Sequence, residues 1–430
     1  MLVVLECELN DLNLLKKAEQ LLVGGHAMKS VELFAGAGGL AMGCEIAGFS
    51  HLAVVEWDKW ACDTVRENQK RGYPLVQHWN LHEGDVRGFD WSSIPEGIEL
   101  LAGGPPCQPF SIGGKHGAYD DSRDMFPATV ETIRKLKPKA FIVENVKGLT
   151  RATFANYYQY ILLQLEFPEL PRRKDEGWHD HLMRLQAERT SGKRKGKGQT
   201  YNVVATLVNA ADYGVPQKRE RVFIVGFRDD LGIEWSFPEE THSFDALLHS
   251  QWVSGEYWSR HGLKMPETPA NLVSRVRKLK NDLLPMDKLP WRTVRDAIAD
   301  LPDPETKAAL KVPNHTFQGG ARSYPGHTGS PLDLPAKTLK AGAHGVPGGE
   351  NMLVKPNGDV RYFTVRESAR IQTFPDGFRF HGSWGETMRQ LGNAVPVLLA
   401  QQVASSVAEK LAMAEIIRIQ KTVKKVVNVA

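Results

Sequence analysis

One run near the N-terminus, Ser30-Val31-Glu32-Leu33-Phe34-Ala35-Gly36-Ala37-Gly38-Gly39-Leu40, joins an apolar strand to a glycine-rich loop and a helical stretch that reaches Gly48. The same alternation follows at once, with a strand over 51–56 and a helix over 57–69. Strands that alternate with helices indicate βαβ units and a mainly parallel sheet. We therefore predict an α/β fold built outward from this first strand and loop.

The alternation continues along the chain. Gly84-Asp85 closes a third strand-like element, and Phe126–Leu136 has the spacing of a helix. Further strands are predicted at 100–102, 140–145, 201–207 and 222–226. Regular structure is expected to return at about residue 362, with a helix over 366–372 and a last long helix from about 397 to about 420.

Two regions lack this alternation of strands and helices. Residues 166–199 are polar and basic, so we predict a surface loop, for which a polyanion partner stays an alternative. Residues 235–360 are rich in Pro, Gly, His and aromatics and predict a smaller domain of irregular or β character. Together with a leucine-bearing N-terminal extension over 1–27, this gives a main domain over 28–234 plus 361–430 and a second domain over 235–360.

Composition limits the possible classes. The chain has 430 residues, 42% hydrophobic and 24% charged, as in ordinary soluble proteins. It has no apolar run long enough to span a membrane and no basic region typical of a signal peptide, so we expect a cytoplasmic protein. The net charge of +4 permits nucleic-acid binding without establishing it.

Cys107 stands in an unusual setting, Gly103-Gly104-Pro105-Pro106-Cys107-Gln108-Pro109-Phe110-Ser111. The flanking prolines stiffen a loop that holds one thiol at the end of a predicted strand, and ligands bind at that end of open α/β sheets. The alternative, a small buried cysteine in a turn, stays open on this segment alone. No two of the four cysteines have CxxC spacing, so we predict no metal site.

Acidic and aromatic residues at the strand ends suggest a nucleoside cofactor. Glu56 ends the second strand, where a carboxylate can accept hydrogen bonds from a ribose diol. Trp57 offers a flat face for an adenine, and Asp85 can accept from an exocyclic amine. The glycine loop does not fit GxGxxG and carries no P-loop lysine, so a cofactor without a pyrophosphate is favoured. The alternative is a surface acid beside a core tryptophan.

A second group of residues contains the candidate catalytic side chains. Glu144 ends the fifth strand, on the same sheet edge as Cys107, and burial there would raise its pKa and let it donate a proton. Arg219 and Arg221 share a face if their segment is extended, which suits recognition of phosphate or carbonyl groups. A solvated acid at the strand end is the plainer alternative for Glu144.

In their order and approximate spacing, these segments resemble the DNA (cytosine-5) methyltransferases of bacterial restriction–modification systems. The resemblance covers about 30–230 and 361–405, and 1–27 and 166–199 look like additions to the family core. The matching segments are Phe34-Ala35-Gly36-Ala37-Gly38-Gly39, Glu56-Trp57-Asp58, Gly84-Asp85, Gly104-Pro105-Pro106-Cys107-Gln108, Glu144-Asn145-Val146, Gln217-Lys218-Arg219-Glu220-Arg221, Arg366-Glu367-Ser368-Ala369-Arg370-Ile371-Gln372-Thr373-Phe374-Pro375 and Gly392-Asn393-Ala394-Val395-Pro396.

The resemblance implies a Rossmann-like mixed sheet that binds S-adenosylmethionine, with a smaller, irregular or β-rich target-recognition domain over 235–360. It implies that Cys107 attacks C6 of a flipped cytosine, that Glu144 hydrogen-bonds or protonates N3, and that C5 takes the methyl group. Arg221 would contact the target base, and Arg219 would help to hold it or the backbone. The implied cofactor-binding residues are Phe34, Ala35, Gly36, Gly38, Gly39, Leu40, Glu56, Trp57, Asp85, Val86, Gly104, Asn393 and Val395.

The implied partner is double-stranded DNA, with a monomer acting in the bacterial cytoplasm beside a possible cognate restriction endonuclease. A lid over 111–124 would close on the DNA. The implied DNA contacts are Gln108, Ser111, Gly113, Lys115 and Thr338, with Arg322, His327, Lys340 and His344 as further candidates. A tRNA cytosine methyltransferase and a catalytically silent DNA-binding relative remain as alternatives.

Overall fold

The computed structural model describes residues 28–106, 124–193, 200–282, 286–325, 328–341 and 351–427. In these residues a central sheet of seven strands has the order β3-β2-β1-β4-β5-β7-β6. Strand β7 runs antiparallel to both of its neighbours, and the other neighbouring pairs are parallel. The strands are β1 (Met28–Leu33), β2 (Phe49–Glu56), β3 (Leu81–Glu83), β4 (Leu100–Gly103), β5 (Ala140–Val146), β6 (Tyr201–Asn209) and β7 (Glu220–Arg228).

Helices cover both faces of this sheet, so the predicted α/β fold is confirmed. The helices in the described residues are α1 (Gly39–Ile46), α2 (Lys59–Lys70), α3 (Phe126–Leu136), α4 (Ala155–Glu166), α5 (Trp178–Ser191), α6 (Phe244–Trp252), α7 (Glu256–Arg260), α8 (Val273–Asn281), α9 (Val294–Ile298), α10 (Val365–Ile371), α11 (Trp384–Asn393) and α12 (Val397–Val427).

Alternate residues of the inner strands serve two separate cores. Leu101 and Val143 face a cluster built with α3, α4 and α5. Leu100 and Ile142 face a second cluster built with α1 and α12. Because successive side chains of a strand point to opposite faces, a strand buried on both sides must be apolar throughout. This explains why these strands read as unbroken apolar runs in the sequence.

The register brings three strand ends to one edge. Leu33 pairs with Gly103, and Gly103 pairs with Val143. The residues that follow, Phe34, Gly104 and Glu144, therefore lie side by side. Phe34 and Gly104 leave the sheet there, whereas Glu144 is still within β5, which continues two residues further. Phe34 has a φ of 55°, which is uncommon for a residue with a side chain and marks a tight turn out of the strand. The sheet thus gathers three predicted site segments at its carboxyl edge.

The prediction of a surface loop over 166–199 is wrong for residues 178–191, which form α5. The helix buries Leu182 and Leu185 in the first core, and buried His181 contacts the Tyr160 hydroxyl at 2.7 Å. These few apolar side chains have the spacing of one helix face. The many charged residues around them led to the prediction of a loop instead. Residues 194–199 lie outside the described residues.

The region 235–360 is irregular, as predicted, but its regular elements are mainly helical. It holds α6, α7, α8 and α9, while its strands have only two or three residues: β8 (His242–Ser243), β9 (Leu289–Pro290), β10 (Ser330–Pro331), β11 (Met352–Val354) and β12 (Val360–Tyr362). In the part of this region that the structure describes, the β character is limited to these short strands. Trp235 and Phe237 pack on the second core of the main sheet. The division at 234 and 361 stays a prediction, and 1–27 lie outside the described residues.

Candidate active site

Glu144 and Arg221 form a buried ion pair at the carboxyl edge of the sheet. Arg221 Nε lies 2.8 Å from Glu144 Oε1, and the Glu144 side chain is only 9% exposed. Register explains the meeting, because Glu144 on β5 and Arg221 on β7 belong to paired antiparallel strands. Burial raises the pKa of Glu144, and the positive charges of Arg221 and Arg219 oppose that rise. The carboxyl is thus set to hold a proton above the pH at which an exposed one loses it.

The segment that leads to Cys107 is tied to the same place. Asn145 Nδ2 donates to the carbonyl oxygen of Pro105 at 3.1 Å. Gly104 packs so closely that an added Cβ would lie 3.0 Å from Glu144 Oε2. The chain therefore runs past the Glu144 carboxyl at Gly104, three residues before Cys107. Cys107 itself lies outside the described residues.

Arg219 occupies a different environment from Arg221. Its guanidinium is fully buried and donates to three backbone carbonyls: Leu339 at 2.9 Å, Gly392 at 2.7 Å and Ala394 at 2.9 Å. These carbonyls belong to segments 120 to 175 residues away along the chain. In this arrangement Arg219 joins the strand that carries Arg221 to the Thr338 segment and to the end of α11.

Glu56 organises the loops at the ends of the first two strands. Its carboxylate accepts backbone N–H bonds from Gly36 at 2.7 Å, Trp57 at 2.9 Å and Asp58 at 2.7 Å. Burial raises the pKa of Glu56, and these three bonds oppose the rise. The glycine loop and the Trp57 loop are therefore fixed relative to each other through one carboxylate.

The predicted adenine platform and amine acceptor are both at the surface. Trp57 is 70% exposed, so the alternative of a core tryptophan does not hold. Asp85 pairs with Arg87, whose hydrogen bonds lower the pKa of Asp85. Asp85 also caps the short turn after β3 by accepting from the Arg87 N–H at 2.9 Å. Val86 beside it is buried in the first core.

The glycines after β1 do different things. Gly36 has a φ of 55°, and a Cβ added there would meet nothing within 4 Å. At Gly38 a Cβ would lie 2.7 Å from the Trp79 ring, and at Gly39 it would lie 2.3 Å from the Val395 carbonyl oxygen. Gly36 is thus the glycine of this loop that faces open space, while Gly38 and Gly39 permit close packing inside the protein.

The remaining members of the predicted cofactor set surround this loop. Ala35 and Leu40 are buried in apolar clusters of the main domain. Val395 is also buried, in the turn before α12, whereas Asn393 at the end of α11 is exposed. The chain turn between α11 and α12 therefore reaches the end of the glycine loop, where a Cβ added to Gly39 would meet the Val395 carbonyl oxygen.

Two buried glutamines that sequence reasoning left without a role hold the site segments together. Gln217 Nε2 donates to Gln372 Oε1 at 3.1 Å, and Gln217 Oε1 accepts from the Leu339 N–H at 3.0 Å. Gln372 Nε2 in turn donates to the Ala394 carbonyl at 3.2 Å. Both stand inside the matched motifs, but no periodicity in the sequence marks them as partners.

Thr338 lies in the segment that docks on the residues before β7. Its Oγ1 donates to the Lys218 carbonyl oxygen at 2.7 Å. Arg322 lines an open groove in the 235–360 region, and the Lys340 N–H donates to Asn351 Oδ1 at 2.9 Å. The other predicted DNA contacts lie outside the described residues: Gln108, Ser111, Gly113, Lys115, His327 and His344.

Comparison with known proteins gives a consistent picture. The model of the C-5 cytosine-specific DNA methylases matches residues 28–168 and 193–409, which leaves all of α5 in the gap. The Type II methyltransferase M.NgoMIV of Neisseria gonorrhoeae is 32% identical over 391 residues, which cover 89% of this chain and 97% of that protein. M.PspPI of Psychrobacter is 32% identical over 384 residues, covering 89% and 79%.

Solved structures agree at the level of the fold. The structure of the S. pombe Dnmt2 methyltransferase has a TM-score of 0.51 and 15% sequence identity, and the match covers 89% of this chain and 99% of that one. In the part of the chain that the structure describes, no helix is both long and apolar enough to cross a membrane.

Proposed function

The chain belongs to the C-5 cytosine-specific DNA methylase family and is therefore a DNA (cytosine-5) methyltransferase, and we propose that it acts through Cys107 and Glu144 with S-adenosylmethionine as the methyl donor. The observation that carries this proposal is the buried Glu144–Arg221 pair, with Gly104 and the anchored Pro105 carbonyl packed beside it. The Glu144 carboxyl, the Arg221 guanidinium and the segment that leads to Cys107 therefore lie at the same edge of the sheet.

Glu144 supplies the proton in the proposed reaction. The Cys107 thiolate forms a bond to C6 of the cytosine while Glu144 transfers its proton to N3, so the displaced electron pair makes C5 nucleophilic. C5 gains the methyl group with cleavage of the donor's methyl–sulfur bond, which leaves a neutral thioether. Water then takes the C5 proton, the electron pair of that C–H bond re-forms the C5–C6 double bond and expels the Cys107 thiolate, and N3 returns its proton to Glu144. A cysteine thiol is only slightly ionised at neutral pH, so this step depends on local activation of Cys107.

Arg221 and Arg219 have separate tasks in this proposal. Arg221 pairs with one oxygen of the Glu144 carboxyl. From this position its guanidinium would also contact a base that binds to Glu144. Arg219 acts as a positioning residue through its three carbonyl bonds. Because neither C5 nor C6 can be attacked inside a duplex, the target cytosine must be flipped into this site.

The residues around the glycine loop fit S-adenosylmethionine. Gly36 leaves open space beside its backbone, Glu56 ends the second strand, and Trp57 is exposed next to it. The loop carries no lysine of a phosphate site, which suits a cationic sulfonium. Bound there, the cofactor supplies an electrophilic methyl group. The residues that would hold it are Phe34, Ala35, Gly36, Gly38, Gly39, Leu40, Glu56, Trp57, Asp85, Val86, Gly104, Asn393 and Val395.

We also propose the biological setting. The relatives that are 32% identical are Type II methyltransferases, which supports sequence-specific methylation of double-stranded DNA in a restriction–modification system, with a cognate endonuclease as a functional partner. The enzyme would act as a monomer in the bacterial cytoplasm, because modification of one base per event needs no two-fold symmetry. The target-recognition role falls to the region 235–360, with Thr338 near the flipped base.

The test is to incubate the purified protein with unmethylated genomic DNA and S-adenosylmethionine and to map 5-methylcytosine by conversion sequencing. Methylation confined to one short motif is the expected result, and the Cys107→Ser variant should give none. A tRNA pool is treated in parallel. Methylation of tRNA but not of DNA, or unchanged methylation by Cys107→Ser, would contradict the proposal.

A further inference from the structure

Lys218 places its ammonium over two adjoining aromatic rings beside the candidate site. Lys218 Nζ lies 5.3 Å from the centroid of the Phe244 ring and 5.2 Å from that of Trp291. The two rings contact each other, with centroids 5.2 Å apart. Aromatic faces attract cations electrostatically, so this ring pair favours one position of a long and otherwise flexible side chain.

The ring pair is itself fixed. Trp291 Nε1 donates to Asp212 Oδ1 at 2.8 Å. The Arg275 guanidinium lies 5.1 Å from the centroid of Phe244 and is held by an ion pair with Asp245 at 2.6 Å. The rings therefore form a prepared support for the ammonium.

The charge of Lys218 has no carboxylate partner among the described residues. Other lysines of this chain do have one: Lys147 Nζ lies 2.8 Å from Glu220, and Lys288 Nζ lies 2.7 Å from Glu240. Lys218 is exposed, so an anion can reach it. Aromatic rings hold a cation without neutralising it, so the ammonium stays available to an anionic ligand. Partial burial against the rings lowers the pKa of Lys218, and a bound anion would oppose that shift.

The backbone of Lys218 places this charge next to the reacting groups. Its N–H donates to the Ala336 carbonyl at 2.8 Å, and its carbonyl accepts from Thr338 Oγ1 at 2.7 Å. Arg221, which pairs with Glu144, follows three residues later. Three extended residues span at most about 11 Å, while duplex DNA carries one negative charge per ~1.7 Å of its axis. A base held at Glu144 thus brings backbone phosphates within reach.

We propose that Lys218, supported by Phe244 and Trp291, is a binding site for one phosphate of the DNA backbone next to the target cytosine. This inference rests on the proposed function and adds to it a specific electrostatic contact. A phosphate that replaces condensed cations at this site makes DNA binding depend more steeply on salt.

The test compares Lys218→Gln with the parent and with Lys288→Gln as a matched control, because Lys288 is already neutralised by Glu240. Binding of a fluorescent duplex is measured by anisotropy over a series of salt concentrations. One lost phosphate contact should make the slope of log K against log salt less steep by about 0.9. Lys288→Gln should keep the parent slope, and Lys218→Arg should restore it.

An unchanged slope for Lys218→Gln, or an equal change for Lys288→Gln, would overturn the assignment. If the Gln variant loses the parent's near-UV circular dichroism, Lys218→Met replaces it under the same criterion, because its apolar stem can still pack on the rings. Methylation is assayed on the same preparations. Absent methylation by the parent would refute the proposed function, while the slopes would still decide the role of Lys218.

Discussion

Replacing Arg219 by Met tests whether this buried guanidinium holds the site together. The variant keeps a long apolar stem but removes the donors to the carbonyls of Leu339, Gly392 and Ala394. Each hydrogen bond to a charged group contributes about 1.5–3 kcal/mol, so three give about 4.5–9 kcal/mol. The substitution also removes the cost of burying the Arg219 charge, which offsets several kcal/mol of that loss. We expect a net destabilisation of about 3–5 kcal/mol.

The assay is urea denaturation of Arg219→Met and the parent, followed by circular dichroism and by tryptophan fluorescence. Arg221→Met is the matched control, because it removes an arginine of the same strand end that makes no bond to the Leu339, Gly392 or Ala394 carbonyl in the structure. Arg219→Met should lower the denaturation midpoint more than Arg221→Met does, and Arg221→Met should lower kcat more at temperatures where both are folded. A variant at Arg219 as stable as the parent, but inactive, would refute this reasoning and favour direct contact with the base.

Three further predictions concern Glu144 and the two glycines Gly36 and Gly39. Because burial raises the pKa of Glu144 and favours its protonated form, kcat should fall as pH rises through that pKa. The pH–rate profiles of the parent and of Glu144→Gln test this, and a parent profile without that limb would contradict it. Gly39→Ala should destabilise the protein by about 1–3 kcal/mol through its clash with the Val395 carbonyl. Gly36→Ala should cost about 1–2 kcal/mol from its backbone conformation without a clash, and should also weaken S-adenosylmethionine binding; thermal unfolding and calorimetry separate the two, and equal cofactor affinity in Gly36→Ala and the parent would count against a ligand there.

The sheet and its functional edge could be predicted because they are encoded locally. Helix α3 was predicted with its observed bounds, and the strand that ends near Glu144 was predicted to within one residue. Apolar runs bounded by glycine, proline or charged residues define such strands, and parallel pairing then brings their carboxyl ends together. The meeting of Glu144 with the segment before Cys107 follows from that geometry.

Contacts between distant segments could not be predicted in the same way. Arg219 was expected to face the base or backbone of DNA, and nothing in its own segment indicates that Leu339 and Gly392 supply carbonyls to it. Helix α5 was not predicted because most of its residues are polar and it buries only a few side chains, so its apolar periodicity is weak. The pairing of Lys218 with Phe244 and Trp291 likewise depends on how the region 235–360 docks, which no local pattern specifies.

The central claim is that the Cys107 thiol adds to C6 of a flipped cytosine. Duplex DNA with 5-fluorocytosine at the methylated position tests it, because fluorine cannot leave C5 as a proton and the enzyme should stay bound to the base. With S-adenosylmethionine present, the parent should form a complex that survives denaturation, and Cys107→Ser should form none. A complex that dissociates in denaturant, on DNA whose unmodified form is methylated, would contradict the covalent mechanism.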